Sequence, residues 1–286
     1  MQLLNWNVQW GRDASGVVDL GRTVAEARAL ADFDVLCLQE LTRGFGALPG
    51  GPGPDQFAEL AALLPGFAVI EAIAVDLPPA ATGAPRRQFG NAIATRLPLG
   101  RIMRHTLPWP ADVRTPSMPR VALEVNVETE TGRPLRIVTT HLEFYSAAQR
   151  LAQVEALRDQ HHEAAGHAHH PARAETRDGP FAASGRALDA VLCGDFNSAY
   201  RDDAYRRMLA PIDGDPGFVD AWVHRHPGET PPPTAGVYDT VQWQDGAMTC
   251  DFVFVTDTLL DRVARCEIDG ATRASDHQPI LLELHD

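Results

Sequence analysis

The segment Ala190-Val191-Leu192-Cys193-Gly194-Asp195-Phe196-Asn197 sets the tightest limit on what this chain can fold into. Its four apolar residues read as a strand buried on both faces, as in the middle of an α/β sheet. Gly194 breaks the run, and a carboxylate and an amide follow two positions apart. In extended backbone, residues i and i+2 point to the same side. Asp195 and Asn197 are therefore expected to leave a core strand together and face one crevice, where ligands of α/β proteins usually sit. Asp and Asn are also common turn residues, so this segment alone does not separate a site from a turn.

The same strand-then-polar arrangement recurs along the chain. Gln2 to Val8 ends in Asn-Trp-Asn-Val, and Asp34 to Glu40 is a second buried strand ending in a carboxylate. Phe89 to Thr95 carries Asn91. Arg120 to Glu128 alternates apolar and polar residues as a half-buried strand, with Leu135 to Thr140 as its hairpin partner across residues 130–133. That partner runs into His141-Leu142-Glu143. Later strands are expected over Asp251 to Thr256, Val263 to Ile268 and Pro279 to Leu284. Helical spacing marks Leu20 to Ala31, Phe57 to Leu64 and Ala147 to Gln160.

Collected in order, the polar residues at these strand ends are Asn7, Glu40, Asn91, His141, Asp195, Asn197, Asp251, Asp276 and His277. They offer hard oxygen donors and two imidazoles, with no thiolate. Such a set suits Mg²⁺ or Mn²⁺, whereas Zn²⁺ favours His and Cys. Each residue alone also has an ordinary structural reading, as a strand end, a turn cap or a satisfied buried histidine.

Composition narrows the partners. The net charge of −13 argues against a broad, nonspecific nucleic-acid surface, though not against a local basic groove. Every basic side chain apart from histidine is Arg; the sequence has no Lys. Schiff-base chemistry and a P-loop lysine are thereby excluded, and a bound phosphate must be met by Arg, amides, His or a metal. Arg120 is the first candidate, with Arg86 and Arg87 second. No run of 18 apolar residues predicts a membrane span, and the N-terminus has no secretory pattern. The four Cys have no metal-type spacing and read as reduced core residues of a cytoplasmic protein. Residues 1–286 read as one domain, expected to be monomeric. His161 to Gly185, rich in His and Ala and punctuated by Pro and Gly, is expected to be a mobile solvated insertion.

The motifs Trp6-Asn7-Val8, Gln39-Glu40, Gly90-Asn91-Ala92-Ile93, Thr140-His141-Leu142-Glu143, Gly194-Asp195-Phe196-Asn197, Asp251-Phe252-Val253-Phe254 and Ser275-Asp276-His277-Gln278-Pro279 resemble those of the endonuclease/exonuclease/phosphatase superfamily, in its order and over nearly the whole chain. The resemblance implies a four-layer α/β sandwich of two packed mixed β-sheets flanked by helices, and hydrolysis of phosphoesters with a divalent metal. It implies Glu40 as principal metal ligand, supported by Asn7 and Asp276. Asp195 would activate or orient the attacking water, and Asn197 would hold the phosphate. His277 would stabilise phosphoryl charge or move a proton, oriented by Asp276. His141 would bind phosphate or protonate the leaving oxygen, and Asp251 would orient a catalytic His. Asn91 and Arg120 are expected on the substrate side.

Two departures narrow the branch. Gln9 stands where abasic-site endonucleases of the superfamily carry an acidic residue, and Thr-His-Leu-Glu replaces their Tyr-x-Pro-Asn. The chain is more similar to the branches of pancreatic-type deoxyribonuclease, the sphingomyelinases, the inositol-polyphosphate phosphatases and the 5′-tyrosyl-DNA phosphodiesterases. The expected activity is a metal-dependent phosphodiesterase or phosphatase on a small-molecule or nucleic-acid phosphoester. The alternatives are a DNA-directed nuclease or repair phosphodiesterase and, from another class, an inactive binding module.

Overall fold

Apolar residues alternate between two destinations along each central strand, and that alternation builds the layers. The computed structural model describes residues 1–170 and 185–285. In chain order the elements are β1 (Gln2–Asn7), α1 (Leu20–Leu30), β2 (Val35–Arg43), α2 (Gln56–Leu63), β3 (Ala68–Leu77), β4 (Arg87–Thr95), β5 (Leu99–Thr106), β6 (Val121–Glu128), β7 (Pro134–His141), α3 (Ala147–His169), β8 (Ala190–Asp195), α4 (Asp203–Met208), β9 (Phe218–Asp220), α5 (Ala221–Arg225), β10 (Asp251–Thr256), β11 (Val263–Ile268) and β12 (Ile280–Leu284). Two mixed six-stranded sheets result, ordered β11-β12-β1-β2-β4-β3 and β5-β6-β7-β8-β10-β9.

On β2, Val35 and Cys37 enter the core between the sheets, where they meet Val191 and Cys193 of β8. Leu36 and Leu38 turn to the other face and pack with Leu20, Val24 and Phe57 of α1 and α2. On the second sheet, Val138, Leu192 and Phe254 pack beneath Val154 and Leu157 of α3. Strands buried on both faces are therefore flanked by amphipathic helices, which is the four-layer sandwich. All four cysteines are free and buried. Among the described residues no helix is long and apolar enough to cross a membrane.

Two pairings position the site. β1 and β2 run parallel with Asn7 opposite Gln39. β7 and β8 also run parallel, with His141 opposite Asp195, and antiparallel β10 sets Asp251 opposite Asp195. The carboxyl ends of β1, β2, β7 and β8 thus meet at one edge of the sandwich. Gly194 is required there: its φ is +147°, and a Cβ would lie 1.9 Å from the Thr140 carbonyl oxygen.

Three expectations change. β2 does not stop at Glu40 but continues to Arg43 through an irregular register between Leu38 and Leu41. β5, which the sequence reading left unassigned, forms an edge strand whose largely exposed residues carry little apolar pattern. The expected mobile tract is helical through His169; residues 171–184 lie outside the described residues. The helix continues without an apolar stripe because its inner face is made of His161, Ala164 and Ala165.

His161 is held by chemistry instead. Its Nδ1 faces the Arg136 guanidinium and its Nε2–H donates to the Pro216 carbonyl oxygen at 2.9 Å. Burial and the neighbouring Arg136 push its pKa down to about 4. Between pH 6.5 and 4 the unfolded chain binds a proton here that the folded chain does not, so acidification costs stability across that window. The loss approaches about 3 kcal/mol at its acid end. In thermal melts, His161→Gln is expected to show a shallower decline of Tm from pH 7 to 5 than the parent. Parallel profiles would contradict the assignment.

Candidate active site

At the shared edge of the sheets opens a cleft of about 370 Å³, lined among others by Gln9, Glu40, Arg120, His141, Asp195, Asn197, Asp276 and His277. Among the described residues, five non-glycine residues have positive φ. Four of them, Gln9 (41°), Trp10 (47°), Glu40 (64°) and Asn197 (48°), line this cleft. Each such conformation costs about 1–3 kcal/mol, and strain of this kind collects at functional sites. Glu40 acquires its φ in the irregular stretch of β2, which turns the carboxylate into the cleft.

Asn7 ties the carboxylates together. Its Nδ2 donates to Glu40 Oε1 at 3.0 Å and to Asp195 Oδ2 at 2.9 Å, while its Oδ1 accepts from the Gln9 amide at 3.1 Å. With the amide in this orientation Asn7 positions the acids through its nitrogen. The second Asp195 oxygen accepts from the Asn197 amide at 2.8 Å, and Asn197 Nδ2 donates to the Leu142 carbonyl. His141 Nε2 lies 3.5 Å from Asp195 and 3.8 Å from Glu40.

On the other side of Asp195, His277 Nε2 is 3.8 Å from Asp195 Oδ2, and Nδ1 is bonded to Asp251 Oδ2 at 2.8 Å. The ring is backed by Trp243, edge-on at 5.5 Å. Asp276 does not orient His277, as the resemblance implied. Its Oδ2 accepts from Gln9 Nε2 at 2.9 Å and Trp243 Nε1 at 3.0 Å, and Asp251 takes the orienting position.

These contacts separate the titrations of the cluster. Burial opposes the charge on His277, but Asp251, Asp276 and Asp195 outweigh it and hold the imidazole well above its usual pKa. His141 goes the other way, pushed well below its usual value by burial, Arg120 and His277. Burial raises Asp195 to about 6, with repulsion from Asp251 adding. Burial and repulsion from Asp276 raise Glu40 to about 7. The site therefore pairs an imidazolium with a neutral imidazole on either side of one carboxylate.

Glu40, His141 and Asp195 bring one ligating atom each within 4.8 Å of one another. Two carboxylates whose charge is disfavoured by burial and by neighbouring acids, open to a cleft and facing a neutral imidazole, fit a hard divalent cation, which would offset that charge.

Arg120 is buried beside this group, its Nε bonded to Glu143 Oε2 at 3.3 Å and its Nη1 left without a partner. Asn91 is buried with its amide bonded to the Val121 carbonyl and is not among the cleft-lining residues. Arg86 and Arg87 do not line the cleft: Arg86 pairs with Asp76, and Arg87 bonds the Pro78 carbonyl and lies over Phe45. The sequence reading missed Trp243, Phe144 and Tyr145. Trp243 and Phe144 meet edge-on at 6.3 Å, and Phe144 and Tyr145 at 4.8 Å. No sequence signal marks Trp243; in the structure Gly236 packs against it, and a Cβ there would lie 2.7 Å from its side chain.

The model of the Endonuclease/Exonuclease/phosphatase family matches residues 4–277. The chain belongs to this family. Its fold agrees with several solved structures at low sequence identity. An endonuclease/exonuclease/phosphatase from Beutenbergia cavernae DSM 12333 is 23% identical, with a TM-score of 0.67, covering 100% of this chain and 71% of that one. A mannosyl-6-phosphatase from Bacteroides thetaiotaomicron VPI-5482 is 16% identical, with a TM-score of 0.61 and full coverage of both chains. A 3′ phosphatase from Neisseria bound to product DNA hairpin is 18% identical, with a TM-score of 0.58 and full coverage of both. No curated protein sequence matches significantly.

If Asp251 sustains the His277 charge, Asp251→Asn should lower the His277 midpoint by about one to three pH units in an NMR titration of the metal-free protein. An unmoved midpoint would contradict the pairing.

Proposed function

We propose that the chain is a divalent-cation-dependent phosphoester hydrolase, acting by water attack, with residues 1–286 as one catalytic domain. The observation that carries this reading is the convergence of His141 and His277 on Asp195, beside Glu40, in one cleft, with His277 favoured in its charged form and His141 in its neutral one. Pairs of titratable groups pushed apart by their surroundings mark acid and base roles.

Asp195 takes the proton of the attacking water. Its carboxylate is fixed at both oxygens by Asn7 and Asn197, and its pKa of about 6 suits a base working near neutrality. His277 is the charged donor that meets negative charge on the phosphoryl oxygens, steadied by Asp251. His141, neutral, donates a hydrogen bond to the phosphate. Asn197 holds a phosphoryl oxygen, and the unpartnered Nη1 of Arg120 meets the same group. Asn91 holds the carbonyl of Val121, the residue that follows Arg120. Glu40 is the principal ligand of Mg²⁺ or Mn²⁺, with Asp195 and His141 nearest and Asn7 and Asp276 in support. That cation, when bound, supplies positive charge against the developing charge of the phosphoryl group and lowers the pKa of water.

A small phosphoester is favoured over long DNA. Among the described residues that line the cleft Arg120 is the one Arg, and the long-range field of a chain at −13 repels polyanions. The nuclease reading would need an Arg groove outside this cleft.

The test is a panel of small phosphodiesters, phosphomonoesters and plasmid DNA with Mg²⁺ and Mn²⁺. Hydrolysis is expected to vanish after EDTA and dialysis and to return with either cation. His277→Asn and Asp195→Asn should each lower kcat by about 10² to 10⁴, and Glu40→Gln should weaken cation binding with the fold retained. Full activity after cation removal would overturn the mechanism. kcat/KM for small esters should exceed that for plasmid nicking at two salt concentrations. Efficient, strongly salt-sensitive nicking would promote the nuclease instead.

A further inference from the structure

A second donor set lies directly beneath the contact between Asp195 and His277. Asp195, Cys250, Asp251 and His277 are all buried, and one ligating atom from each lies within 4.8 Å of every other. Cys250 Sγ is 3.6 Å from Asp251 Oδ2. Thr234 fixes the chain at this point, its Oγ1 accepting from the amides of both Cys250 and Asp251 at 3.0 Å. Asp251 Oδ1 is buried without a hydrogen-bond partner, although buried carboxylate oxygens ordinarily have one.

The chemistry of this set differs from that around Glu40. It joins one sulfur and one imidazole nitrogen to two carboxylates, a composition that suits tetrahedral, borderline-soft Zn²⁺ and not octahedral Mg²⁺. A zinc tetrahedron with bonds of about 2.0 to 2.3 Å has edges of roughly 3.3 to 3.8 Å. The 3.6 Å separation of Cys250 Sγ from Asp251 Oδ2 falls in that range, and the four ligating atoms, one from each residue, all lie within 4.8 Å of one another. Two members of the set, Asp195 and His277, line the cleft.

We propose that Cys250, Asp251, His277 and Asp195 form an inhibitory site for a zinc-class cation. Binding forms a Zn–S bond as the Cys250 thiol proton passes to solvent, and the ligating nitrogen of His277 must likewise be free of its proton. Occupancy weakens as pH falls, since protons compete for the same donors. A zinc ion held here removes His277 and Asp195 from hydrolysis whatever cation Glu40 carries. The inhibitory consequence rests on the hydrolase reading; the binding itself does not.

The test uses the whole chain stripped of metal and titrated with Co²⁺ as a spectroscopic substitute for zinc. A thiolate-to-cobalt charge-transfer band in the near ultraviolet is expected. Cys250→Ser and Cys250→Ala should both lose it, while Cys37→Ser and Cys266→Ser keep it. With Mg²⁺ saturating, Zn²⁺ should inhibit ester hydrolysis reversibly by chelation, and Cys250→Ser should raise the half-inhibitory Zn²⁺ concentration about tenfold or more. A band that is absent from the parent, or that survives both Cys250 substitutions, overturns the site. Equal zinc sensitivity of parent and variant overturns its inhibitory role. A protein that gives the band but hydrolyses no phosphoester keeps the site and loses the hydrolase reading.

Discussion

The cleft depends on crowding buried carboxylates around one imidazolium. Asp195 and Asp251 face each other across the β8–β10 pair, and burial drives Asp195 toward the neutral acid. His277 lies between them with a nitrogen toward each, and it is held charged by the acids it serves. The arrangement is reciprocal: removing either charge from the interior would leave the other uncompensated. Glu40 is less well served. Burial and repulsion from Asp276 raise its pKa to about 7, and Asn7 and His277 relieve this only in part.

Strand register supplies this crowding. Two parallel pairs end at the same edge, so Asn7, His141 and Asp195 arrive together without any loop having to place them. Glu40 arrives by distortion of β2, and its positive φ, with those of Gln9, Trp10 and Asn197, holds strain that the packed sandwich sustains. The core between the sheets and the cores beneath the helices are separate, so β2 and β8 are anchored on both faces just before their polar ends. Rigid anchoring of this sort is what keeps donors in place as charge develops on a substrate.

Much of this was legible in the sequence, for physical reasons. Strands buried on both faces leave unmistakable apolar runs, and a charged residue at the end of such a run has few structural excuses. Glu40 and Asp195 could therefore be placed at the ends of buried strands from the sequence, while their expected roles and that of His277 came from the family resemblance. Partner choice was less legible. Asp251 and Asp276 are both acids near His277, and only three-dimensional register assigns the hydrogen bond to the first. Trp243 and Phe144 lie on connecting segments, where no periodicity marks the side that faces the cleft. The end of α3 was lost because its buried face is polar and small, with Arg136 and Pro216 satisfying His161 where leucines would ordinarily pack. Cys250 read as core because a buried thiol next to a strand looks the same whether its neighbours are aliphatic or carboxylate.

The central claim is that Glu40 and Asp195 gather a divalent cation beside a phosphoryl group. Its most direct test is an anomalous difference map from crystals soaked with Mn²⁺ and an unreactive phosphate ester. The account predicts a peak about 2.0 to 2.2 Å from a Glu40 oxygen, with the phosphate between His277, Asn197 and Arg120. A saturating soak that leaves Glu40 without a metal contact, or that seats the phosphate away from His277, would contradict it.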